Sequence, residues 1–341
     1  MDSFSLPLPQ VQPLESSSAT FHSFLDKMRN PTALHLVRSI KSFIVSFSFY
    51  ASNPENDSKR VQEFFRSMEN AISNHPLWSG ATDEEIECSM EGLEKYVMTK
   101  LFPRTFASLP EDAEHDNGLY EKIQLLQTFL KPEHLDIPLF FQNEASFSRA
   151  ETEILKINSF KSPGEKIQCI VNCSRIISNM LLSASGSDTH LLGGADNFLP
   201  ALIYITIKAN PIQLHSNLRY IELYRRETML ISEAEYYHTN MQSVQTFILD
   251  MNAKSLSIDE VEFEERFQNA RKMQKGTNLD VPKRAAVQTT VSGGSKFPYM
   301  DARANELTPE DVEKLLNLYK DVVSRYTNLR ELFLVSSRMK T

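Results

Sequence analysis

One acidic side chain stands at the start of a strongly apolar segment of this 341-residue sequence. Asp196 directly follows Gly194 and Ala195, and residues 201–205 are all apolar. Because such a run is buried in a folded chain, it would hold the carboxylate on a rigid support. The acid can cap the helix that follows, by accepting hydrogen bonds from free backbone N–H groups, or it can engage a partner that docks there. The residue types alone leave both alternatives open.

A second candidate is an aromatic ring on the polar side of a later helix. Apolar residues at spacings of three and four predict the buried face of this helix, and they are Tyr237, Met241, Val244 and Ile248. A second stripe, about 100° round the helix, consists of Tyr236, Thr239, Asn240 and Ser243. An aromatic ring among hydroxyl and amide groups is typical of a protein-docking surface. The alternative is that Tyr236 packs on a neighbouring helix with its hydroxyl group in water.

The known motifs of covalent, metal and cofactor chemistry are missing from the sequence. It has no glycine-rich phosphate loop, no His-Glu-x-x-His zinc motif and no Gly-x-Ser-x-Gly nucleophile elbow. Three cysteines cannot build a disulfide framework. Cys169 and Cys173 stand one helical turn apart in an apolar stretch and are predicted to be core thiols in a reducing compartment. We therefore expect no metal site and no cofactor.

The composition favours a folded, all-α chain. The hydrophobic fraction of 41% and the charged fraction of 23% are close to globular averages, glycine is scarce at 10 residues, and apolar residues recur at helical spacings. The net charge of −8 argues against a nucleic-acid partner, because phosphate binding needs clustered lysine and arginine. No secretory signal is expected at the N-terminus, and no apolar stretch reaches the ~20 residues that span a bilayer.

Helical stripes predict a bundle followed by a second helical layer. After a flexible tail of residues 1–18, amphipathic helices in residues 19–104 predict an N-terminal helical bundle. One of these helices is expected to bury Leu34, Val37, Ile40, Ile44 and Phe47. Residues 105–255 would form the second layer. In its last helix, Ser232 and Glu235 have the spacing of a capping box, which predicts that this helix begins at Ser232.

The C-terminal part of the sequence divides into three segments. A charged helix in residues 256–275 is expected to pack on the bundle, and the polar residues 276–305 predict a linker. Apolar residues at heptad spacing predict an amphipathic helix in residues 306–341. With three repeats, this helix either pairs with a second copy of the chain or folds back on the body.

The second layer resembles a known family of domains. The domain named after vacuolar protein sorting protein nine (the Vps-nine domain) is similar in four segments, which are Gly194-Ala195-Asp196-x-Phe198-Leu199-Pro200, Lys208-Ala209-Asn210-Pro211, Ser216-Asn217-Leu218-x-Tyr220-Ile221 and Glu233-Ala234-x-Tyr236-x-x-Thr239-Asn240. Its plant members are similar in residues 41–47, 61–65, 75–80 and 92–100 as well. The resemblance covers about residues 20–275 and implies a helical bundle packed on a second helical layer that carries the catalytic surface.

The resemblance also implies a function. The Vps-nine domain is a guanine nucleotide exchange factor for small GTPases of the Rab-five subfamily, in endosomal and vacuolar trafficking. Asp196 matches the acidic finger that reaches into the nucleotide site of the GTPase, and Tyr236 matches the tyrosine that contacts its switch regions. The other GTPase-binding positions would be Pro200, Leu199, Thr239 and Asn240. Exchange makes and breaks no covalent bond, so the chain needs no covalent chemistry of its own.

The implied partner is a Rab-five-subfamily GTPase in its GDP-bound and nucleotide-free states. The chain is then expected to be cytoplasmic, to be recruited to endosomes and to meet a membrane only indirectly. Three positions depart from the family pattern: Asn197 replaces a second acid, Ser232 a common glycine, and His238 a usual aromatic residue. The alternative function is a catalytically weak helical scaffold or effector that binds a GTPase or another partner through its C-terminal helix.

Overall fold

The structure, a computed structural model, describes residues 14–49, 52–185 and 196–277 together with positions 311, 315 and 316. The α-helices in these residues are α1 (Leu14–Arg29), α2 (Leu34–Ser46), α3 (Pro54–Ser73), α4 (Asp83–Thr105), α5 (Pro110–Gln127), α6 (Glu144–Leu155), α7 (Pro163–Ser185), α8 (Phe198–Ala209), α9 (Leu214–Tyr224), α10 (Ser232–Asp250) and α11 (Glu260–Thr277). None of the described residues forms a β-strand, which confirms the all-α prediction. None of these helices is both long and apolar enough to cross a membrane.

The chain divides into two units, Met1–Leu279 and Asp280–Thr341. In the second unit the described positions are 311, 315 and 316, and all three are helical. The predicted linker and C-terminal heptad helix otherwise lie outside the described residues, apart from positions 276 and 277 at the end of α11.

The first core lies among α1, α2, α3 and α4. In α4, Met90, Leu93, Val97 and Leu101 recur at helical spacing and are all buried, and Ile86 at the start of the same stripe is partly buried. Phe24 of α1 packs directly on α4 at Gly92, where a Cβ atom would lie only 2.5 Å from the Cβ atom of Phe24. A glycine at this position is therefore what allows the two helices to come so close.

The second core is built from α5 to α11, and α9 contributes to both cores. Leu214, Leu218 and Ile221 of α9 pack into the second core. The rings of Tyr220 and Tyr224, on the other side of the same helix, insert among the side chains of α1 to α4. The helix thus joins the N-terminal bundle to the second helical layer.

A buried ionic cluster reinforces this junction. Glu94 of α4 is fully buried and accepts hydrogen bonds from the Arg225 guanidinium at 2.9 Å, from the Arg226 backbone N–H at 3.1 Å and from the Gly164 backbone N–H at 2.9 Å. Glu91 accepts from Arg225 at 2.6 Å. Burial alone would raise the pKa of Glu91, but the two arginines hold it below its usual value. The cluster therefore ties α4 to the start of α7 and to the segment that follows α9.

Gly164 is also required by this cluster. A Cβ atom at this position would lie 2.7 Å from Nη1 of Arg225 and 2.9 Å from Oε1 of Glu94. Any larger residue would push the guanidinium away from the carboxylate. The glycine thus lets the charged side chains approach the N-terminus of α7.

Several elements differ from the sequence-based predictions. Helix α1 begins at Leu14, so residues 14–18 are helical and do not belong to the predicted flexible tail. These residues have only a weak preference of their own for a helix, but they extend the helix formed by the residues that follow. Helix α11 contacts α5 rather than the bundle, since the ring of Phe263 packs on Phe129 in the second core. The prediction that Cys169 and Cys173 lie in the core is confirmed, because both thiols are buried.

Candidate functional site

Asp196 lies at the surface, immediately before the first turn of α8. Its residue is exposed, and among the described residues its side chain has no hydrogen-bond partner. The N-cap position of α8 is occupied by Asn197, whose side chain makes no capping hydrogen bond. The capping alternative for Asp196 thus has no support in the described geometry. Its carboxylate lies next to the positive end of α8, where negative charge is favourable.

Helix α8 is the rigid support of this acid. Residues 201–205 are all buried, as the apolar run predicts. The helix ends at Asn210, which adopts a left-handed conformation (φ 42°, ψ 60°) directly before Pro211. At the other end, Leu199 and Pro200 are partly exposed beside Asp196. Because residues 201–207 of α8 are buried, the turn that carries the acid is attached to a well-packed helix.

The ring of Phe198 connects the acid to α10. Phe198 is buried two positions after Asp196. Its ring lies 6.4 Å from the ring of Tyr236 and 5.7 Å from that of Tyr237, measured between centroids. Tyr237 is buried, whereas Tyr236 is 58% exposed. The structure therefore places both predicted functional residues beside Phe198, which follows Asp196 by two positions and whose ring lies near that of Tyr236.

The polar stripe of α10 faces outward, as predicted. Thr239 and Ser243 are exposed and Asn240 is partly exposed. The amide of Asn240 donates to the carbonyl oxygen of Tyr236 at 2.7 Å, and the Ser243 hydroxyl group donates to that of Thr239 at 3.0 Å. These hydrogen bonds stay within the helix, so the stripe presents the Tyr236 ring among short polar groups.

His238 points to the opposite side of α10, into the protein. Its ring is buried, and Nε2 donates to the Leu218 carbonyl oxygen at 3.1 Å. Burial lowers the pKa of His238, which favours the neutral ring. The replacement of an aromatic residue at this position therefore changes the core of α10 and leaves its exposed face unaltered.

The start of α10 differs from the predicted capping box. The helix begins at Ser232 as predicted, but Ile231 is the N-cap residue and makes no side-chain cap, so the interpretation of Ser232 and Glu235 as a capping box is wrong. The physical reason is that Ser232 is already the first residue of the helix, so it does not occupy the N-cap position. Its backbone adopts a left-handed conformation with φ 51°. A left-handed conformation favours glycine, so the structure accounts for glycine at this position in the family pattern.

A bidentate ion pair holds the first turn of α10. Arg175 of α7 donates from Nε and Nη2 to the two carboxylate oxygens of Glu233, at 2.8 and 2.6 Å. These hydrogen bonds keep the pKa of Glu233 below its usual value. Sequence reasoning gave Arg175 no role, because its partner lies 58 positions away and no local pattern links them. Glu233 lies one turn before Tyr236, so this pair positions the segment that carries the ring.

We expect the Ser232→Gly variant to be more stable than the wild type by about 1 kcal/mol, because glycine adopts the left-handed conformation without strain. Urea denaturation followed by circular dichroism measures the change. The matched control is Ser243→Gly, an exposed position in the interior of α10, which should lower stability by about 0.5 kcal/mol. A Ser232→Gly variant as destabilised as this control would contradict a strained start of α10.

The fold and the site define a class of protein. Residues 147–253, which run from α6 to just beyond α10, match the Vacuolar sorting protein 9 (VPS9) domain. Residues 38–102, in α2 to α4, match a Domain of unknown function (DUF5601). The chain belongs to the VPS9-domain family, and the resemblance seen in the sequence motifs is confirmed.

Its relatives include plant members of this family. The chain is 41% identical to Vacuolar protein sorting-associated protein 9A of Oryza sativa subsp. japonica, in an alignment that covers 91% of this chain and 79% of that protein. It is 54% identical to Vacuolar protein sorting-associated protein 9A of Arabidopsis thaliana over 73% of this chain and 48% of that protein. The Rab5 GDP/GTP exchange factor of Bos taurus is 28% identical over 72% of this chain and 50% of that protein. The chain thus spans about half the length of the Arabidopsis and bovine relatives.

Proposed function

We propose that the chain is a guanine nucleotide exchange factor for a small GTPase of the Rab5 subfamily. The observation that carries the proposal is the exposed Asp196, which has no hydrogen-bond partner among the described residues and shares a surface with Tyr236. The match of this region to the VPS9 domain supports it. So does the name of the bovine relative, Rab5 GDP/GTP exchange factor.

Exchange follows from competition at the phosphate site of the GTPase. A small GTPase holds its nucleotide through Mg²⁺ and a phosphate-loop lysine. The carboxylate of Asp196 would pair with that lysine and repel both phosphate and the ligands of Mg²⁺. Tyr236 would stack on the switch regions, with Leu199, Pro200, Thr239 and Asn240 around it. Since the chain would bind the nucleotide-free GTPase more tightly, linkage requires that it weaken nucleotide binding by the same factor.

The proposed setting is endosomal. Two plant relatives carry names that refer to vacuolar protein sorting. We infer that the chain acts in the cytoplasm, meets the GDP-bound and nucleotide-free forms of its GTPase, and is recruited to endosomes. Neither nucleotide exchange nor recruitment to endosomes needs a cofactor or a metal ion bound to the chain itself.

The direct test is release of a fluorescent GDP analogue from a panel of Rab5-subfamily GTPases. We expect the chain to accelerate release from at least one member, and no acceleration from any member would contradict the proposal. The alternative, a weak scaffold or effector, is separated by a binding assay. An exchange factor binds the nucleotide-free GTPase most tightly, whereas an effector prefers the GTP-bound form.

We expect the Glu233→Gln variant to accelerate nucleotide release about tenfold less than the wild type. Loss of the bidentate pair with Arg175 frees the first turn of α10, and small misplacements of a binding group such as Tyr236 cost large factors in rate. The stimulated release rate at fixed GTPase concentration measures the effect.

Two further variants make this prediction specific. The control Glu235→Gln removes an exposed acid from the same turn and should retain wild-type activity. Swapping the charges in Arg175→Glu/Glu233→Arg should restore part of the lost rate. If the Glu235→Gln control loses as much activity as Glu233→Gln, then general negative charge, and not the ion pair, sets the rate.

A further inference from the structure

The outer face of α2 carries a ridge of basic and apolar side chains that is exposed to solvent. The α2 ridge consists of Leu34, Arg38, Lys41 and Val45, followed by Phe49 just beyond the helix. The spacings of four, three and four place the four helical members on one line. Leu34 is 51%, Val45 55% and Phe49 76% exposed. The side chains that α2 buries, Leu36 and Ile40, lie on the opposite side of the helix, as does Phe47 just beyond its end.

The charge of the ridge is opposite to that of the chain as a whole. Helix α2 contains no Asp or Glu, although the chain has a net charge of −8. Within the part of the chain that the structure describes, neither Arg38 nor Lys41 has an ion-pair partner. An anionic surface would therefore repel most of the molecule and attract this face.

A groove opens beside the ridge, between α1, α2 and α4. It has a volume of about 180 Å³, and its apolar lining includes Phe24, Ile40 and Tyr96. Arg29 and Lys41 also line it, and Arg29 pairs with Asp26 at 2.7 Å. Cations beside an apolar groove fit an anionic head group attached to a hydrocarbon chain.

We infer that the α2 ridge docks on an anionic phospholipid bilayer. The side chains of Leu34, Val45 and Phe49 enter the boundary between head groups and acyl chains, while Arg38 and Lys41 extend to the lipid phosphates. This interaction goes beyond nucleotide exchange and does not depend on it. The sequence patterns predict only an indirect route to a membrane, and the ridge supplies a direct one.

The arrangement of the ridge fits a bilayer better than it fits a protein. In a two-fold dimer through this face, the cations at the centre of the ridge would meet their own copies and repel each other. The apolar side chains at its two ends are roughly 20 Å apart along the helix. A planar bilayer accommodates both ends at once without a shaped pocket, and each cation adds to the attraction.

Vesicle flotation with the full chain tests the inference. We expect the wild type to float with vesicles of equal parts phosphatidylcholine and phosphatidylserine and to stay in solution with phosphatidylcholine alone. Arg38→Gln/Lys41→Gln should weaken binding about 30-fold, since each cation near an anionic surface contributes about fivefold. The matched control is Lys254→Gln/Lys272→Gln, which removes two exposed cations of α11 and the turn before it and should float as the wild type does.

A second variant separates the apolar contribution from the charge. Phe49→Ala should weaken vesicle binding several-fold without any change in net charge, and the exposure of this ring makes misfolding no concern. Acceleration of GDP release from a soluble GTPase should be the same in all these variants, so failure of membrane docking and failure of the exchange function are distinguishable.

Three results would overturn the inference. The first is a wild type that does not bind the phosphatidylserine vesicles. The second is equal loss of binding in the ridge variant and in the Lys254→Gln/Lys272→Gln control, which would show a general effect of charge. The third is a wild-type dimer in sedimentation that Phe49→Ala converts to a monomer with vesicle binding unchanged, which would assign the α2 ridge to a second copy of the chain.

Discussion

Replacing Asp196 by asparagine is expected to reduce stimulated nucleotide release about 100-fold, close to the unstimulated rate. The substitution keeps the size of the side chain but removes the negative charge that would compete for the phosphate-loop lysine and repel phosphate. Coupling free energies between two binding sites typically correspond to factors up to this size. Folding should be unaffected, because the side chain is exposed and has no hydrogen-bond partner among the described residues.

The measurement is release of a fluorescent GDP analogue with and without the chain, accompanied by thermal unfolding of each variant. The control is Asp250→Asn, which neutralises an exposed acid at the far end of α10. This variant should stimulate GDP release from the GTPase as strongly as the wild type does. If Asp196→Asn accelerated release as the wild type does, the assignment of the acidic finger would be wrong. A large fall in its unfolding temperature would instead favour a structural role for this acid.

Replacing Glu94 by glutamine is expected to lower the free energy of unfolding by about 3 kcal/mol. Breaking a buried ion pair leaves its partner charge without compensation in a medium of low dielectric constant. Here both Arg225 and Arg226 lose the fully buried Glu94 carboxylate, whose pKa burial raises while the two arginines oppose that shift, although Glu91 still pairs with each of them. The Nε atoms of both arginines already lack hydrogen-bond partners, so the cluster has no spare acceptors.

Urea denaturation monitored by circular dichroism measures this loss. The matched control is Glu262→Gln, which breaks the surface pair between Glu262 and Arg266, whose side chains are 46% and 41% exposed. Such an exposed pair is worth less than about 0.5 kcal/mol. If the free energy of unfolding fell by the same small amount in both variants, the Glu94 carboxylate would not stabilise the junction between the bundle and the second layer.

The two variants should affect different properties. At a temperature where it is still folded, Glu94→Gln should retain stimulated nucleotide release, since Glu94 is buried away from the exposed surface of α8 and α10. Asp196→Asn should show the reverse, with normal stability and lost exchange. This contrast separates the residues that hold the fold from the residue that we propose to act on the GTPase.

The sequence by itself determined the all-α fold and the inward faces of several helices. The stripes of α4 and α10 are buried as their spacing predicts, and the apolar run of α8 is buried as well. Apolar periodicity predicts the buried face of a helix well because it is a local pattern that involves residues only three or four positions apart. The sequence motifs also identified the family, and the exposed polar face of α10 was predicted from the same spacing.

Only the tertiary structure decided how these elements support the site. The pairs of Glu94 with Arg225 and of Arg175 with Glu233 join residues 131 and 58 positions apart, and no local spacing encodes them. The left-handed backbone of Ser232 overrode the capping-box pattern, because the path of the chain into α10 sets that dihedral angle. Leu34 was predicted to face inward yet is half exposed, since contacts with α1, α3 and α4, and not apolar spacing alone, decide which side of α2 is covered.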